Sequence, residues 1–178
     1  SGTTLAQLAA DALGLDVDHV VVERSDTGVG GLEGTGSFAS RSAISGGGAV
    51  VNAAAELHRR LLEDAAGELQ SALARSPADA GTRRNLGTAL VKLGRYAEAV
   101  PQLQEAARLV PGDTVTLTEL GLALMRLDRT AEAAVAFESA IAAKPYHVPA
   151  LFNLGQCYAR LGRTADAQAA LERFAQAS

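Results

Sequence analysis

From residue 80 onward, the sequence repeats the same residue types every 34 positions. Leu-Gly pairs, alanines and large apolar residues all recur at that spacing. They are Leu86-Gly87, Leu120-Gly121 and Leu154-Gly155, then Ala99, Ala133 and Ala167, then Leu103, Phe137 and Leu171. Pro111 and Pro145 follow near the ends of the first two units. A fixed period of this length predicts a stack of similar supersecondary units, each packed on its neighbours.

Each unit has the pattern of two helices joined by a tight turn. In the first unit, Leu86, Leu90 and Leu93 place apolar side chains three and four residues apart, which is helical spacing. Gly94 comes next, and glycine readily takes the left-handed backbone that closes a helix. We therefore expect three helix pairs, at residues 80–113, 114–147 and 148–178. The small residues at the Leu-Gly and alanine positions predict that the two helices of a pair cross closely.

These motifs resemble the tetratricopeptide repeat family over residues 80–178. The resemblance implies a mainly α fold, with the helix pairs forming a right-handed α-solenoid. It also implies a scaffold for protein–protein interaction, which binds a partner peptide in a concave groove and performs no chemistry itself.

The resemblance places a recurring set of positions in that groove. They are Arg84, Thr88, Val91 and Lys92, then Thr118, Leu122, Met125 and Arg126, then Phe152, Gln156, Ala159 and Arg160. Lys92, Arg126 and Arg160 occupy the same place in all three units, so they should form a basic line beside an apolar strip. Such a line suits an acidic or C-terminal peptide. An equally open alternative is that these three residues are ordinary solvated charges.

The first part of the chain follows a different pattern. A helix is expected over residues 3–13, a short strand over 20–23 and a polar, glycine-dense loop over 25–48. A long alanine-rich helix should begin near Ala49 and continue past Leu69. These elements predict a small α/β fragment at residues 1–62. Residues 63–79 then form a connecting helix that acts as a half-repeat or cap, because Ala65, Leu69 and Ala72 continue the register of the repeats.

This fragment also resembles a known family. The segments that carry the resemblance are Thr3-Thr4-Leu5, Ser25-Asp26-Thr27, Gly34-Thr35-Gly36-Ser37 and Ser40-Arg41-Ser42. They are similar to the molybdopterin-binding portion of the large subunit of xanthine dehydrogenase, aldehyde oxidase and carbon monoxide dehydrogenase. The resemblance would place five residues near the cofactor: Thr4, Gly36, Ser37, Ser40 and Arg41.

The same resemblance indicates that important parts lie elsewhere. The family's Gly-Gln-Gly element would precede Ser1, and its active-site glutamate would fall where the repeats stand here. We therefore expect no catalysis and no cofactor for this chain alone, and molybdopterin only in a complete parent oxidoreductase. In that alternative, the chain is the C-terminal part of such an enzyme, and its repeats recruit a subunit or an assembly factor.

Composition limits which kinds of partner and which cellular compartment the sequence predicts. The net charge of −4 gives no reason to expect nucleic acid, and no apolar run is long enough to cross a bilayer. The single cysteine, Cys157, cannot form an internal disulfide, which favours the reducing cytoplasm of a bacterial-type cell. Self-association through the C-terminal end of the array is a further expectation.

The remaining candidate residues have modest predicted roles. The three histidines are far apart in sequence, so no metal site is expected, and His147 should cap a helix. Cys157 should be a buried thiol rather than a nucleophile. Ser45 stands before three glycines, where it should cap the long helix; the alternative is that free amides there bind an anion.

Overall fold

The computed structural model describes residues 37–177, and for residues 37–50 it gives the backbone alone. Every element in this range is an α-helix. The helices are α1 (Ser37–Arg75), α2 (Ala80–Lys92), α3 (Tyr96–Leu109), α4 (Thr114–Arg126), α5 (Thr130–Ala143), α6 (Val148–Arg160) and α7 (Thr164–Ala177). The chain divides after Leu61 into two compact units, Ser1–Leu61 and Leu62–Ser178.

The long helix α1 corrects part of the sequence-based expectation. It begins at Ser37, so residues 37–48 are helical and the predicted loop does not extend to Gly48. Glycine costs a helix about 1 kcal/mol relative to alanine, but it still donates the backbone hydrogen bond that proline would remove. Ser45 therefore lies inside α1, and both roles proposed for it at a helix start were wrong. The predicted helix at 3–13 and strand at 20–23 lie outside the described residues.

Residues 80–177 form three helix pairs, α2 with α3, α4 with α5 and α6 with α7. The turns inside the pairs share one backbone conformation. Gly94 and Gly162 both have φ of 74°, and Asp128 takes the same place with φ of 57°. Aspartate is among the few residues other than glycine that adopt this left-handed region readily. The repeat therefore keeps its geometry although the middle unit has no glycine there.

The first helices begin in two different ways. Asp79 accepts a hydrogen bond from the Gly81 amide at 2.9 Å, and Asp113 accepts one from the Val115 amide at 3.2 Å. His147 occupies the same N-cap position before α6, but its side chain makes no cap hydrogen bond. Its Nε2 instead lies 3.0 Å from Oγ1 of Thr118. The His147 side chain thus does not cap α6 as predicted, and instead connects α4 with the N-terminus of α6.

A continuous apolar core runs through the stacked helices, and its largest fully buried side chain is Phe137. The helices of each pair cross where a glycine faces a large residue of the partner helix. A Cβ placed on Gly121 would lie 2.6 Å from Cζ of Phe137, and one on Gly87 would lie 2.4 Å from Cγ of Leu103. The small residues are therefore required by the close approach of the helices.

Candidate functional site: a groove lined by the first helices

The predicted groove positions differ in exposure. Thr118 and Met125 are buried, at 7% and 9% exposure. Five further positions are partly exposed: Arg84, Thr88, Val91, Leu122 and Gln156. The remaining five are exposed: Lys92, Arg126, Phe152, Ala159 and Arg160. The Thr118 hydroxyl donates to the Thr114 carbonyl oxygen at 2.6 Å and faces His147. Thr118 and Met125 thus belong to the core, and the other ten positions make the surface.

Two sets of repeated cations behave differently. The turn arginines Arg95, Arg129 and Arg163 each bind the acidic residue three positions later. Arg95 Nε lies 2.7 Å from Glu98 Oε1, Arg129 Nε lies 2.7 Å from Glu132 Oε1, and Arg163 Nε lies 2.8 Å from Asp166 Oδ2. These hydrogen bonds hold the pKa values of Glu98 and Glu132 below their usual range. The guanidinium groups of the turn arginines are therefore occupied by ion pairs within their own turns.

The three cations that the sequence predicts in the groove have no such ion pairs with described side chains. Lys92, Arg126 and Arg160 each lie at the end of a first helix, and all three are exposed. None makes an ion pair with a residue whose side chain the structure describes. Three exposed cations therefore lie at equivalent places on the three first helices.

Arg84 is different from these three cations. Its Nη1 lies 3.3 Å from Oδ2 of Asp113, which caps α4 in the next unit. Burial raises the pKa of Asp113, but hydrogen bonds from Thr116 and Arg84 outweigh it and leave the pKa lowered. Arg84 thus helps to join the first two units, and its charge is partly neutralised.

Glu119 places a negative charge near Lys92. It is half-buried on α4, where burial raises the pKa of its carboxyl, while the nearby Lys92 charge acts in the opposite direction. A half-buried carboxylate near Lys92 opposes the approach of an anion to that cation. Glu119 was not among the groove positions predicted from sequence, and its equivalents in the other two units are Asn85 and Asn153.

Exposed apolar side chains accompany the cations. Val115 is 50% exposed and Phe152 is 42% exposed. The Phe152 ring lies 5.5 Å from the ring of Phe174, at an interplanar angle of 47°, so α7 supports the groove residue. Sequence reasoning missed both Val115 and Phe174. Val115 could have been found from its place in the repeat, whereas Phe174 is recognisable only from its tertiary contact.

The cofactor-related residues are described only in part. Thr4 and Gly36 lie outside the described residues, and Ser37, Ser40 and Arg41 lie in the first two turns of α1. Among the side chains that the structure describes, no group of three His, Cys, Asp or Glu residues is arranged to hold a metal ion. No helix within residues 37–177 is both long and apolar enough to span a membrane. Cys157 is free and fully buried, and burial raises its thiol pKa to about 11.

The stacked helix pairs define a helical repeat array. A match to the tetratricopeptide repeat family covers residues 124–177. Among solved structures, one of MamA aligns with a TM-score of 0.65 and 23% identity, covering 66% of this chain and 68% of that chain. A second MamA structure aligns with a TM-score of 0.60 and 26% identity, covering 62% and 61%. These likenesses establish the helical solenoid fold.

The chain belongs to the family of molybdopterin cofactor-binding domains, whose match covers residues 1–136. The nicotine 6-hydroxylase large subunit of Paenarthrobacter nicotinovorans is 41% identical over 69 residues, which is 39% of this chain and 8% of that subunit. The chain therefore matches only a small part of the subunit. The family match also extends over residues 80–136, where the structure has helix pairs in the same register as residues 148–177.

Proposed function

We propose that this chain is a protein-interaction scaffold, not catalytic by itself, that binds an acidic peptide in the groove of its repeat array. The observation that carries the proposal is the line of Lys92, Arg126 and Arg160, exposed and without an ion pair to any described side chain. Carboxylates of a ligand can bind Arg126 and Arg160 without displacing an internal ion-pair partner, whereas Lys92 also interacts with the Glu119 carboxylate. Val115 and Phe152 would contact apolar side chains between the carboxylates.

The groove is tested with a fluorescein-labelled peptide of alternating glutamate and leucine residues, measured by fluorescence anisotropy on the full chain. The Arg126→Glu/Arg160→Glu variant should bind it roughly tenfold or more weakly, because two attractive charges become repulsive. Glu119→Gln should bind it more tightly, because a carboxylate near Lys92 is removed. Raising the salt concentration should reduce the difference between wild type and the double variant, since exposed charges are screened.

A matched control separates the groove from general electrostatics. Arg108→Glu/Lys144→Glu changes the net charge by the same amount at exposed positions outside the groove set. It should leave the affinity nearly unchanged. Equal losses in the two double variants would show that net charge alone governs binding, and would contradict the groove proposal.

Self-association is a second part of the same proposal. Leu171 on α7 is 42% exposed, whereas its equivalents Leu103 and Phe137 are fully buried. Ala175, on the same helix, is also exposed. An apolar face of this kind supports association through α7. We also propose a cytoplasmic location, because the buried, free Cys157 suits a reducing compartment.

The alternative function is supported by the family membership. In it, the chain is part of the large subunit of a molybdopterin-dependent hydroxylase, and the repeats recruit a subunit or an assembly factor. Thr4, Gly36, Ser37, Ser40 and Arg41 would hold the cofactor. Hydroxyl and guanidinium groups are suitable donors for its phosphate and pterin acceptors. The bound group would supply the redox chemistry of a molybdenum centre.

Metal analysis distinguishes the two functions. The chain purified alone should contain no stoichiometric molybdenum if it acts only as a scaffold. If it belongs to a cofactor-binding assembly, molybdenum should copurify with the chain and its partners, and Arg41→Ala should reduce the molybdenum content. An unchanged molybdenum content in Arg41→Ala would contradict the role given to Arg41.

A further inference from the structure

The C-terminal part of α1 stands where the second helix of a repeat would stand. Ala65, Leu69 and Ala72 precede Ala99, Leu103 and Ala106 by one period of 34 residues. Those three equivalents on α3 are 0%, 0% and 2% exposed. On α1, Ala65 is exposed, and Leu69 and Ala72 are only partly buried. The same set of positions is therefore fully covered in the first repeat and only partly covered on α1, where Leu69 still packs against the core of the array.

The neighbouring face of α1 is covered more completely. Ala66 is 2% exposed, and Leu73 packs against the core of the array. Their equivalents Val100 and Ala107 also belong to or pack on that core. Thus α1 uses the face that meets α2. The less covered face is the one that, in the other second helices, packs on the first helix of the same pair.

The less covered face continues onto α2. Asn85 is exposed, whereas its equivalents Glu119 and Asn153 are partly buried. A cleft of about 1050 Å³ runs along this region. We call it the α1 cleft and define it by Asp64, Ala65, Glu68, Leu69, Ala72 and Asn85. Its place beside both helices corresponds to the position of a repeat's first helix.

The geometry of the other repeats indicates which residue type can pack against Leu69. Each equivalent large residue faces a glycine of its first helix, and a Cβ there would approach Leu103 Cγ to 2.4 Å or Phe137 Cζ to 2.6 Å. A helix that packs on Leu69 therefore needs glycine or another small residue at the crossing. Apolar residues around that point would contact Ala65 and Ala72.

The charge of the α1 cleft indicates which type of residue should lie at the C-terminal end of the bound helix. Asp64 occupies the place of Glu98, Glu132 and Asp166, which bind the turn arginines at 2.7 to 2.8 Å. The place of the arginine itself is taken in α1 by Leu61. Asp64 makes no ion pair with a side chain in the described range. The exposed Glu68 adds a second carboxylate. A ligand helix should therefore carry a basic residue just beyond its C-terminal end.

We propose that the α1 cleft binds an amphipathic helix of another protein, with a leucine–small residue pair at the crossing and a basic C-terminal end. A second copy of the chain does not offer such a helix within the described residues, because α2, α4 and α6 are each packed on their own second helix. The α1 cleft adjoins Arg84, Lys92 and Val115 but does not include Arg126 or Arg160, and its ligand has the opposite charge.

The probe is a fluorescein-labelled peptide with the sequence of residues 80–95, which contains Leu86-Gly87 and ends in Arg95. It should bind the full chain with one-to-one stoichiometry by anisotropy. Ala65→Arg should weaken binding roughly tenfold or more, because it places a long charged side chain in the cleft at an exposed position. Ala74→Arg is the matched control: it is exposed and about two and a half turns away, on the opposite face of α1.

Changes in the peptide test the two contacts separately. Gly87→Phe in the peptide should weaken binding at the crossing. Arg95→Glu in the peptide should weaken it at Asp64, and Asp64→Lys in the protein should restore much of that loss. Arg126→Glu/Arg160→Glu should not weaken binding of the peptide of residues 80–95, because neither position lines the cleft, so each surface can be tested without the other.

Several results would overturn the proposal. One is equal affinity of Ala65→Arg and wild type, and another is indifference to Gly87→Phe in the peptide. Light scattering that shows a dimer dissociated by Ala65→Arg would assign the cleft to a second copy. A photo-cross-link from position 65 to another part of the same chain would assign it to an internal segment.

Discussion

Replacing Phe137 with alanine should lower the free energy of unfolding by about 3 to 5 kcal/mol, the range for removing a large aromatic side chain from a core. Phe137 is fully buried and is the largest such side chain in the described core. It lies on α5 at the crossing with Gly121 of α4, in the middle pair of the array. Its loss should leave a cavity that neighbouring alanines are too small to fill. Chemical denaturation of the full chain, followed by circular dichroism, measures the change.

Val135→Ala is the control for this substitution. Val135 lies on the same helix and is 60% exposed, so its replacement removes little buried surface. Alanine also has the higher helix propensity, and the stability should stay the same or rise slightly. A comparable loss in both variants would mean that α5 itself, and not the buried ring, limits stability.

Gly121→Ala should destabilise the chain by about 1 to 3 kcal/mol, through overpacking. The new Cβ would lie 2.6 Å from Cε1 and Cζ of Phe137 and 2.9 Å from Cδ1. Since the ring is fully buried, it cannot swing into solvent to relieve the contact. The two helices would have to separate, which would reduce their packing along the whole pair. The same denaturation experiment measures this effect.

The same substitution at another helical glycine should act in the opposite direction. A Cβ on Gly67 in α1 would have no atom within 4 Å. Gly67→Ala should therefore stabilise the chain by about 0.5 to 1 kcal/mol, because alanine loses less backbone entropy in a helix. A change of the same sign at both positions would contradict the steric explanation for Gly121.

Most of the repeat array could be predicted from sequence. The first helices α2, α4 and α6 begin at Ala80, Thr114 and Val148, one period apart. Their paired helices and the tetratricopeptide fold are confirmed. This worked because apolar spacing, turn residues and small crossing residues all repeat with one period. By contrast, the predicted loop at residues 37–48 was wrong, since a helix can include glycines when no proline interrupts it.

The candidate site was less predictable than the fold. The position of Lys92, Arg126 and Arg160 within the 34-residue repeat predicted which side of each first helix carries them. It did not show that Thr118 and Met125 are buried while their neighbours remain open. Burial depends on the residues brought by the next unit, such as His147 against Thr118. Position around a helix and depth in the protein are therefore different properties, and the repeat pattern specifies only the first.

The sequence alone determined the helix pairs and the local ion pairs, because the residue just before a helix and the residue three positions later lie within one helical turn in every fold that contains that helix. Arg95 with Glu98, Arg129 with Glu132 and Arg163 with Asp166 are of this kind. Only the tertiary structure decided which exposed cations have no ion pair with a described side chain, and which face of α1 is less covered. Those properties depend on how helices stack across unit boundaries, where the contacting residues are distant in sequence.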